Sequence, residues 1–296
     1  MSKTIFKGIA TALITPFKAD GSIDFDAYGR IIDWQIESGI DALVSCGTTG
    51  ENPTLSDEEH KAVLKYAVER TAGRVPLIAG TGSNDTHHAI DMTKYACSIG
   101  ADAVLVVTPY YNKATQNGLV QSFTAIADAS TVPVILYNVP SRTGCGIQPA
   151  TYLKLADHPM IQAIKEANGN ISSVVETLSL VKGKLDLYSG NDNEIVPTMA
   201  MGGLGCISVL SNVIPKETCE IAKRFFAGDI AGAAELQMRY VELINALFCE
   251  VNPIPVKAAM AALGMCEDVL RLPMTPMEPA NRERLLSAMR KEGLVK

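Results

Sequence analysis

Met160-Ile161-Gln162-Ala163-Ile164-Lys165-Glu166-Ala167-Asn168-Gly169-Asn170 decides how this chain folds. The apolar residues Ile161, Ala163 and Ile164 make a run too short for a helix. Asn168-Gly169-Asn170 breaks the run before a helical pattern begins at Ile171. The pattern predicts a buried strand whose last residue is a lysine, delivered to the rim where strand becomes loop. Upstream, Val134-Ile135-Leu136-Tyr137 reads the same way and ends at a tyrosine followed by Asn138-Val139-Pro140-Ser141-Arg142-Thr143-Gly144. If the two strands neighbour each other in a parallel sheet, Lys165 and Tyr137 emerge at the same end. A poorly solvated amine beside a phenol is equipment for carbonyl chemistry.

The same alternation extends in both directions. Apolar runs at 8–14, 42–45, 76–79, 103–107, 134–137, 161–165, 185–189 and 206–209 alternate with amphipathic stretches at 25–37, from 56, and at 84–98, 116–129, 149–156, from 171, 195–201 and 216–226. Ser56-Asp57-Glu58-Glu59 carries the S-x-x-E pattern that caps a helix start. Eight strand-then-helix units predict an α/β chain, a parallel sheet closed into a (β/α)8 TIM barrel. The alternative, an open doubly wound sheet, calls for a Gly-rich turn after the first strand, and Thr15-Pro16-Phe17 is not one. From about Asp229 the pattern is helical only, at 231–248, 256–263 and 279–291, with Pro273 and Pro276 marking an irregular connection. The expectation is a catalytic barrel at 1–228 and a C-terminal helical annex at 229–296, packed on the barrel or on another subunit.

The chain has 296 residues, 47% hydrophobic and 20% charged, ample for a packed core. A formal net charge of −6 argues against nucleic acid or an anionic membrane as partner. Met1 to Phe6 lacks the build of a signal peptide and no apolar run is long enough to span a bilayer, so a cytoplasmic protein is expected. The seven cysteines are scattered singly with no C-x-x-C, which predicts buried free thiols and neither disulfides nor a zinc cluster.

In a barrel of this kind the active site lies at the carboxyl ends of the strands. Those ends deliver hydroxyls, glycine amides and phenols, one lysine and one arginine. The four histidines, at 60, 87, 88 and 158, fall in or beside helices, so no metal and no cofactor is expected at the rim. Each candidate has a plain structural role to set against the chemical one. Lys165 could snorkel into water or pair with Glu166. In a dry barrel mouth an amine holds its proton less tightly and becomes a nucleophile toward a ketone. Thr48 and Thr49 make either a small-residue turn or, with glycine-flanked amides, a cup for a carboxylate. Tyr110 and Tyr111 are loop packing, except that adjacent side chains in an extended loop point opposite ways, so one of them leaves the core. Arg142 is a surface ion pair or a clamp for a second carboxylate. Gly202-Gly203-Leu204-Gly205 precedes a strand, which makes it a tight turn and not a phosphate cradle.

Together these motifs resemble a known family. Gly47-Thr48-Thr49-Gly50-Glu51, Thr108-Pro109-Tyr110-Tyr111-Asn112, Tyr137-Asn138-Val139-Pro140-Ser141-Arg142-Thr143-Gly144, Ile164-Lys165-Glu166 and Asn252-Pro253-Ile254-Pro255-Val256-Lys257 are similar to those of the dihydrodipicolinate (4-hydroxy-tetrahydrodipicolinate) synthases. These belong to the pyruvate-dependent Schiff-base aldolases that include N-acetylneuraminate lyase, and the Tyr-Tyr pair and the Arg142 loop separate the two. The resemblance implies that Lys165 condenses with pyruvate, whose carboxylate rests on Thr48 and Thr49. Tyr137 moves protons, and Thr49 links it to Tyr111 from an adjacent subunit. The enamine attacks L-aspartate 4-semialdehyde held by Arg142. Ring closure releases Lys165 and gives 4-hydroxy-tetrahydrodipicolinate and water, the committed step of the diaminopimelate route to L-lysine. Gly190 and the Ile207 carbonyl line the site, and the assembly is a homotetramer built as a dimer of dimers.

The resemblance also implies an inhibitory L-lysine pocket at Asn52, Pro53, Asp57, His60, Asn84, His88 and Tyr110. Here His88 stands where lysine-sensitive members place a glutamate, and Asp57 where they place a histidine. Weak or absent inhibition is expected. Two other functions compete: a sister aldolase acting on sugar acids, and an idle barrel that only binds.

Overall fold

The computed structural model describes residues 4–296. Its eight strands are β1 (Gly8–Ala12), β2 (Ala42–Ser45), β3 (Leu77–Gly80), β4 (Ala103–Val107), β5 (Val134–Asn138), β6 (Ile161–Glu166), β7 (Asp186–Ser189) and β8 (Gly205–Ser208). They close in sequence order into a barrel. All neighbours are parallel, and β1 pairs with β8 through Gly8 with Gly205 to seal it. Alternation along each strand separates two apolar layers. Ala10, Val44, Ile78, Leu105, Ile135, Ala163 and Ile207 fill the interior. Ile9, Leu43, Val104, Leu136 and Ile164 face outward against the helices.

Those helices are α1 (Phe25–Glu37), α2 (Asp57–Thr71), α3 (Thr86–Ser98), α4 (Gln116–Asp128), a single turn α5 (Pro140–Thr143), α6 (Pro149–Leu155), α7 (Ile171–Val181), α8 (Ile195–Ala200) and α9 (Pro215–Phe226). The expected capping box is formed: Ser56 Oγ accepts from Glu59 N at 3.3 Å and Glu59 accepts from Ser56 N at 2.9 Å. The turn α5 was not expected, although Pro140 at its first position and Gly144, with φ 64°, just past its end are the residues that start and stop a helix.

Four helices follow the barrel: α10 (Ile230–Arg239), α11 (Val241–Leu247), α12 (Ile254–Ala262) and α13 (Pro279–Lys291). The single helix expected over 231–248 breaks at Tyr240. On one side of the break α10 packs on α9; on the other, α11 packs on α13. One straight axis cannot serve both faces, and the buried Tyr240 sits at the bend. Two side chains then fasten the annex to the barrel rim. Lys257 of α12 is fully buried and 2.6 Å from the equally buried carboxylate of Glu51. Arg271 grips Glu59 through two 2.6 Å bonds. Both cations lie over the Phe17 ring, at 4.1 and 4.4 Å. All seven cysteines are free thiols; Cys46, Cys145, Cys206 and Cys219 are buried as expected, whereas Cys97, Cys249 and Cys266 are only partly buried. Among the described residues no helix is long and apolar enough to cross a membrane.

Candidate active site

β6 runs one residue further than expected, to Glu166, and this sorts the lysine from the glutamate. Alternation turns Lys165 into the barrel with Ala163 and Ala167 and turns Glu166 out toward the helices. Lys165 is therefore neither snorkelling nor paired with its neighbour. It is 6% exposed, beside a Tyr137 that is 7% exposed. The two residues pair in register across β5 and β6, and Nζ lies 4.2 Å from the centre of the phenol ring. Gly190, after β7, makes the room: a β-carbon there would sit 3.1 Å from Lys165 Cε and 2.8 Å from Ala167 Cβ.

Facing them is one 3-10 turn, Thr48–Gly50, at the end of β2. Glu51, with φ 54°, ends the turn in the left-handed region. Thr49 is buried and Thr48 half-buried. The Thr49 Oγ1 accepts from Asn252 Nδ2 of the annex at 3.0 Å. A cavity of about 330 Å³ is bounded by Lys165, Tyr137, Thr48, Thr49, Arg142 and Gly190. Hydroxyls and a guanidinium thus surround the amine, a set suited to carboxylates on a reacting carbonyl compound.

Behind the amine, on the outer face of the same strands, is a network that sequence reasoning missed. The Glu166 carboxyl accepts from Asn138 Nδ2 at 3.0 and 3.1 Å, from the Tyr152 hydroxyl at 2.9 Å and from Asn168 N at 3.0 Å. Asn138 in turn accepts from Ile147 N at 3.0 Å. Burial pushes the Glu166 carboxyl up to about 7, against the pull of these donors. Asn138 and Glu166 pair in register one step beyond Tyr137 and Lys165, so the network staples together the strand ends that present the phenol and the amine. The signal was in the sequence: each polar residue directly follows a candidate catalytic one at the end of an apolar run.

Asp192 is a second missed residue. Its buried carboxylate accepts from Val209 N and Leu210 N, both at 3.0 Å, and so holds the loop after β8. Burial raises its proton affinity, and the nearby Lys165 charge works in the opposite direction.

Residues 5–292 match the Dihydrodipicolinate synthetase family. The chain belongs to that family.

A curated 4-hydroxy-tetrahydrodipicolinate synthase of Lachnoclostridium phytofermentans is 51% identical over 98% of this chain and 99% of its own length. A chloride-inhibited dihydrodipicolinate synthase from Acinetobacter baumannii, solved with pyruvate, is 43% identical. It superposes with a TM-score of 0.96 over 99% of this chain and 100% of that one. A monomeric dihydrodipicolinate synthase variant is 40% identical with a TM-score of 0.96, over 98% of each chain.

Within this dihydrodipicolinate synthetase-family chain the remaining expected residues separate by place. Arg142, carried on α5, is exposed and lies where the first cavity meets a second of about 300 Å³ that reaches Asn52, Pro53 and Tyr110. Tyr111 is 91% exposed and outside the cavities of its own chain. The loop is not extended there: Tyr111 has φ 68°, left-handed, and it is this turn, not strand-like alternation, that parts it from the half-buried Tyr110. Ile207 lies in the barrel interior, paired in register with Ala10 of β1, and Val209, two residues on, borders the cavity.

In the expected lysine set, His60 is buried with Nε2 2.9 Å from the Gly80 carbonyl. Desolvation holds that imidazole down at about 4. The His88 Nε2 lies 3.8 Å from the Asp57 carboxylate. Asn84 is half-buried nearby and its carbonyl accepts from Asn112 Nδ2 at 2.9 Å.

Proposed function

We propose that this chain condenses pyruvate with L-aspartate 4-semialdehyde through a Schiff base on Lys165, giving 4-hydroxy-tetrahydrodipicolinate and water, the committed step of the diaminopimelate route to L-lysine. The observation that carries this reading is the buried Lys165 amine, 4.2 Å from the Tyr137 ring, opening on a cavity edged by Thr48, Thr49 and Arg142. The amine adds to the pyruvate ketone, and water leaves to form an iminium. That cation acidifies the adjacent methyl, whose loss of a proton gives the enamine. The enamine carbon bonds to the aldehyde carbon of the semialdehyde. The semialdehyde's own amine then attacks the iminium carbon, closing the ring and freeing Lys165.

In this scheme Thr48 and Thr49 receive the pyruvate carboxylate, Tyr137 carries protons to and from the departing oxygens, and Arg142 holds the semialdehyde carboxylate. Gly190 leaves space for the lysine, and the Ile207 carbonyl closes the wall. Tyr111 points away from its own barrel, so it serves the site of a second subunit. We propose that the working unit is at least a dimer, with a tetramer as a dimer of dimers. Residues 1–228 form its catalytic barrel and 229–296 its annex, and it works in the cytoplasm. L-Lysine is a weak inhibitor at most, because the carboxylate able to receive its ammonium, Asp57, already faces His88.

Borohydride reduction with pyruvate, followed by peptide mass mapping, tests the reading. The adduct is expected on Lys165 and absent from the Lys165→Ala protein. An adduct elsewhere, or none in the unaltered enzyme, overturns it.

A further inference from the structure

The network behind Lys165 reaches beyond the two strand ends it joins. Asn138 uses both ends of its amide. Its Nδ2 donates to the Glu166 carboxyl at 3.0 and 3.1 Å, and its Oδ1 accepts from Ile147 N at 3.0 Å. The second bond closes a loop: residues 139–146 leave the end of β5 and return to it, and α5 within them carries Arg142. Asn138 is 1% exposed and Glu166 6%, so these bonds are made away from competing water. The Glu166 carboxyl is held in turn by the Tyr152 hydroxyl of α6 and by Asn168 N.

Arg142 itself is exposed, and its aim follows from the backbone it stands on. That backbone has two side-chain anchors. Thr108, after β4, donates to the Cys145 carbonyl at 2.9 Å, and Asn138 draws the two ends of the loop together. The second anchor leads back to β6 and arrives at the residue directly after Lys165. Main-chain pairing already holds Tyr137 beside Lys165. What the Glu166–Asn138 contact adds is the position of the arginine loop relative to the amine. That span matters to the condensation. The aldehyde carbon must reach the enamine on Lys165 while its carboxylate lies on Arg142, and a misplacement of about 1 Å can cost a hundredfold in rate.

We infer that Glu166 is a positioning residue for the second substrate: through Asn138 it sets the Arg142 loop against the Lys165 amine, and so fixes where the semialdehyde is held. This role rests on the readings of Lys165 and Arg142 proposed above but fails separately from them. Pyruvate trapped on Lys165 tests the Schiff base, whereas Glu166 acts on use of the semialdehyde.

The test uses the full-length enzyme with four changes: Asn138→Leu, Glu166→Met, the double Asn138→Leu/Glu166→Met, and Glu166→Gln. Each apolar single change is expected to lower kcat/KM for the semialdehyde at least about tenfold. The value for pyruvate and the rate of borohydride trapping are expected to stay within about threefold. The double is expected to be no worse than Asn138→Leu alone, because residues acting through one group are not additive. Glu166→Gln keeps an oxygen for Asn138 Nδ2 and turns its amide toward the Tyr152 hydroxyl, which can accept. It is expected to restore use of the semialdehyde to within about threefold of the unaltered enzyme. Equal losses for both substrates, losses that add in the double, or a Glu166→Gln protein as impaired as Glu166→Met each overturns the inference. Should an apolar single change fail to fold by circular dichroism, the double and Glu166→Gln decide. Replacing both partners leaves neither facing an unmet one, and a double that uses both substrates equally well or equally badly overturns the inference.

Discussion

At the scale of single residues, the chemistry depends on where a side chain is aimed more than on what it is. Lys165 and Glu166 are adjacent in sequence, yet one faces the cavity and the other a buried hydrogen-bond network on the opposite face of β6. Tyr137→Phe removes the proposed proton carrier and is expected to lower kcat by about a hundredfold or more, with pyruvate still trapped slowly on Lys165. Unimpaired turnover in that variant would show the phenol to be a bystander. Gly190→Ala places a methyl 3.1 Å from Lys165 Cε and is expected to slow adduct formation without unfolding the barrel, as read by the rate of borohydride trapping.

Glu166 gives a pH prediction. Its folded value of about 7 lies above the ordinary 4.5, so the folded state binds the proton more tightly than the unfolded one. Its contribution to stability is therefore complete below the ordinary value and is lost as pH rises through about 7, by on the order of 2–3 kcal/mol. Glu166→Gln removes that slope. Urea unfolding at pH 5 and pH 8 checks it, and identical slopes in both proteins would count against it.

Among the elements, the strands are apolar on both faces, the pattern of a sheet enclosed by helices. That pattern is legible without coordinates, and so is the cap at Ser56. What one element does to another is less so. The helix expected over 231–248 bends at Tyr240 because α9 and α13 require different axes, and no local pattern contains that demand. The buried Lys257–Glu51 pair joins α12 to the loop after β2. Burial works against the Lys257 ammonium and lowers its proton affinity. Lys257→Met strands the Glu51 carboxylate in the interior and is expected to cost about 3–5 kcal/mol in equilibrium unfolding. Replacing both partners with apolar residues of similar size is expected to cost much less.

At the scale of the whole molecule, the barrel brings residues from distant parts of the chain to one mouth, and one residue of the expected set is left outside. Tyr111 is 91% exposed, so its contribution is expected to cross between subunits. Two inactive proteins test this. Lys165→Ala and Tyr111→Phe, mixed and allowed to exchange subunits, create one intact site in each mixed dimer. Activity is expected to rise well above the sum of the parts, and mixtures that never exceed it would confine Tyr111 to its own chain. A solved relative that is a monomeric variant gives this measurement its point, since shared fold does not imply shared assembly.

The sequence alone determined the βα period, the closed barrel, the annex and the family, because these follow from apolar alternation and from motifs written in contiguous residues. The lysine, the phenol and the two threonines were legible for the same reason: each stands at the end of a strand, and strand ends converge at one rim. Only the tertiary structure decided that Glu166 is turned away from Lys165, that Asn138 and Tyr152 hold it, that Asp192 anchors the loop after β8, and that Asn252 returns from the annex to Thr49. Those partners are set by pairing register and by contacts between side chains as many as 203 residues apart, and neither exists until the barrel has closed.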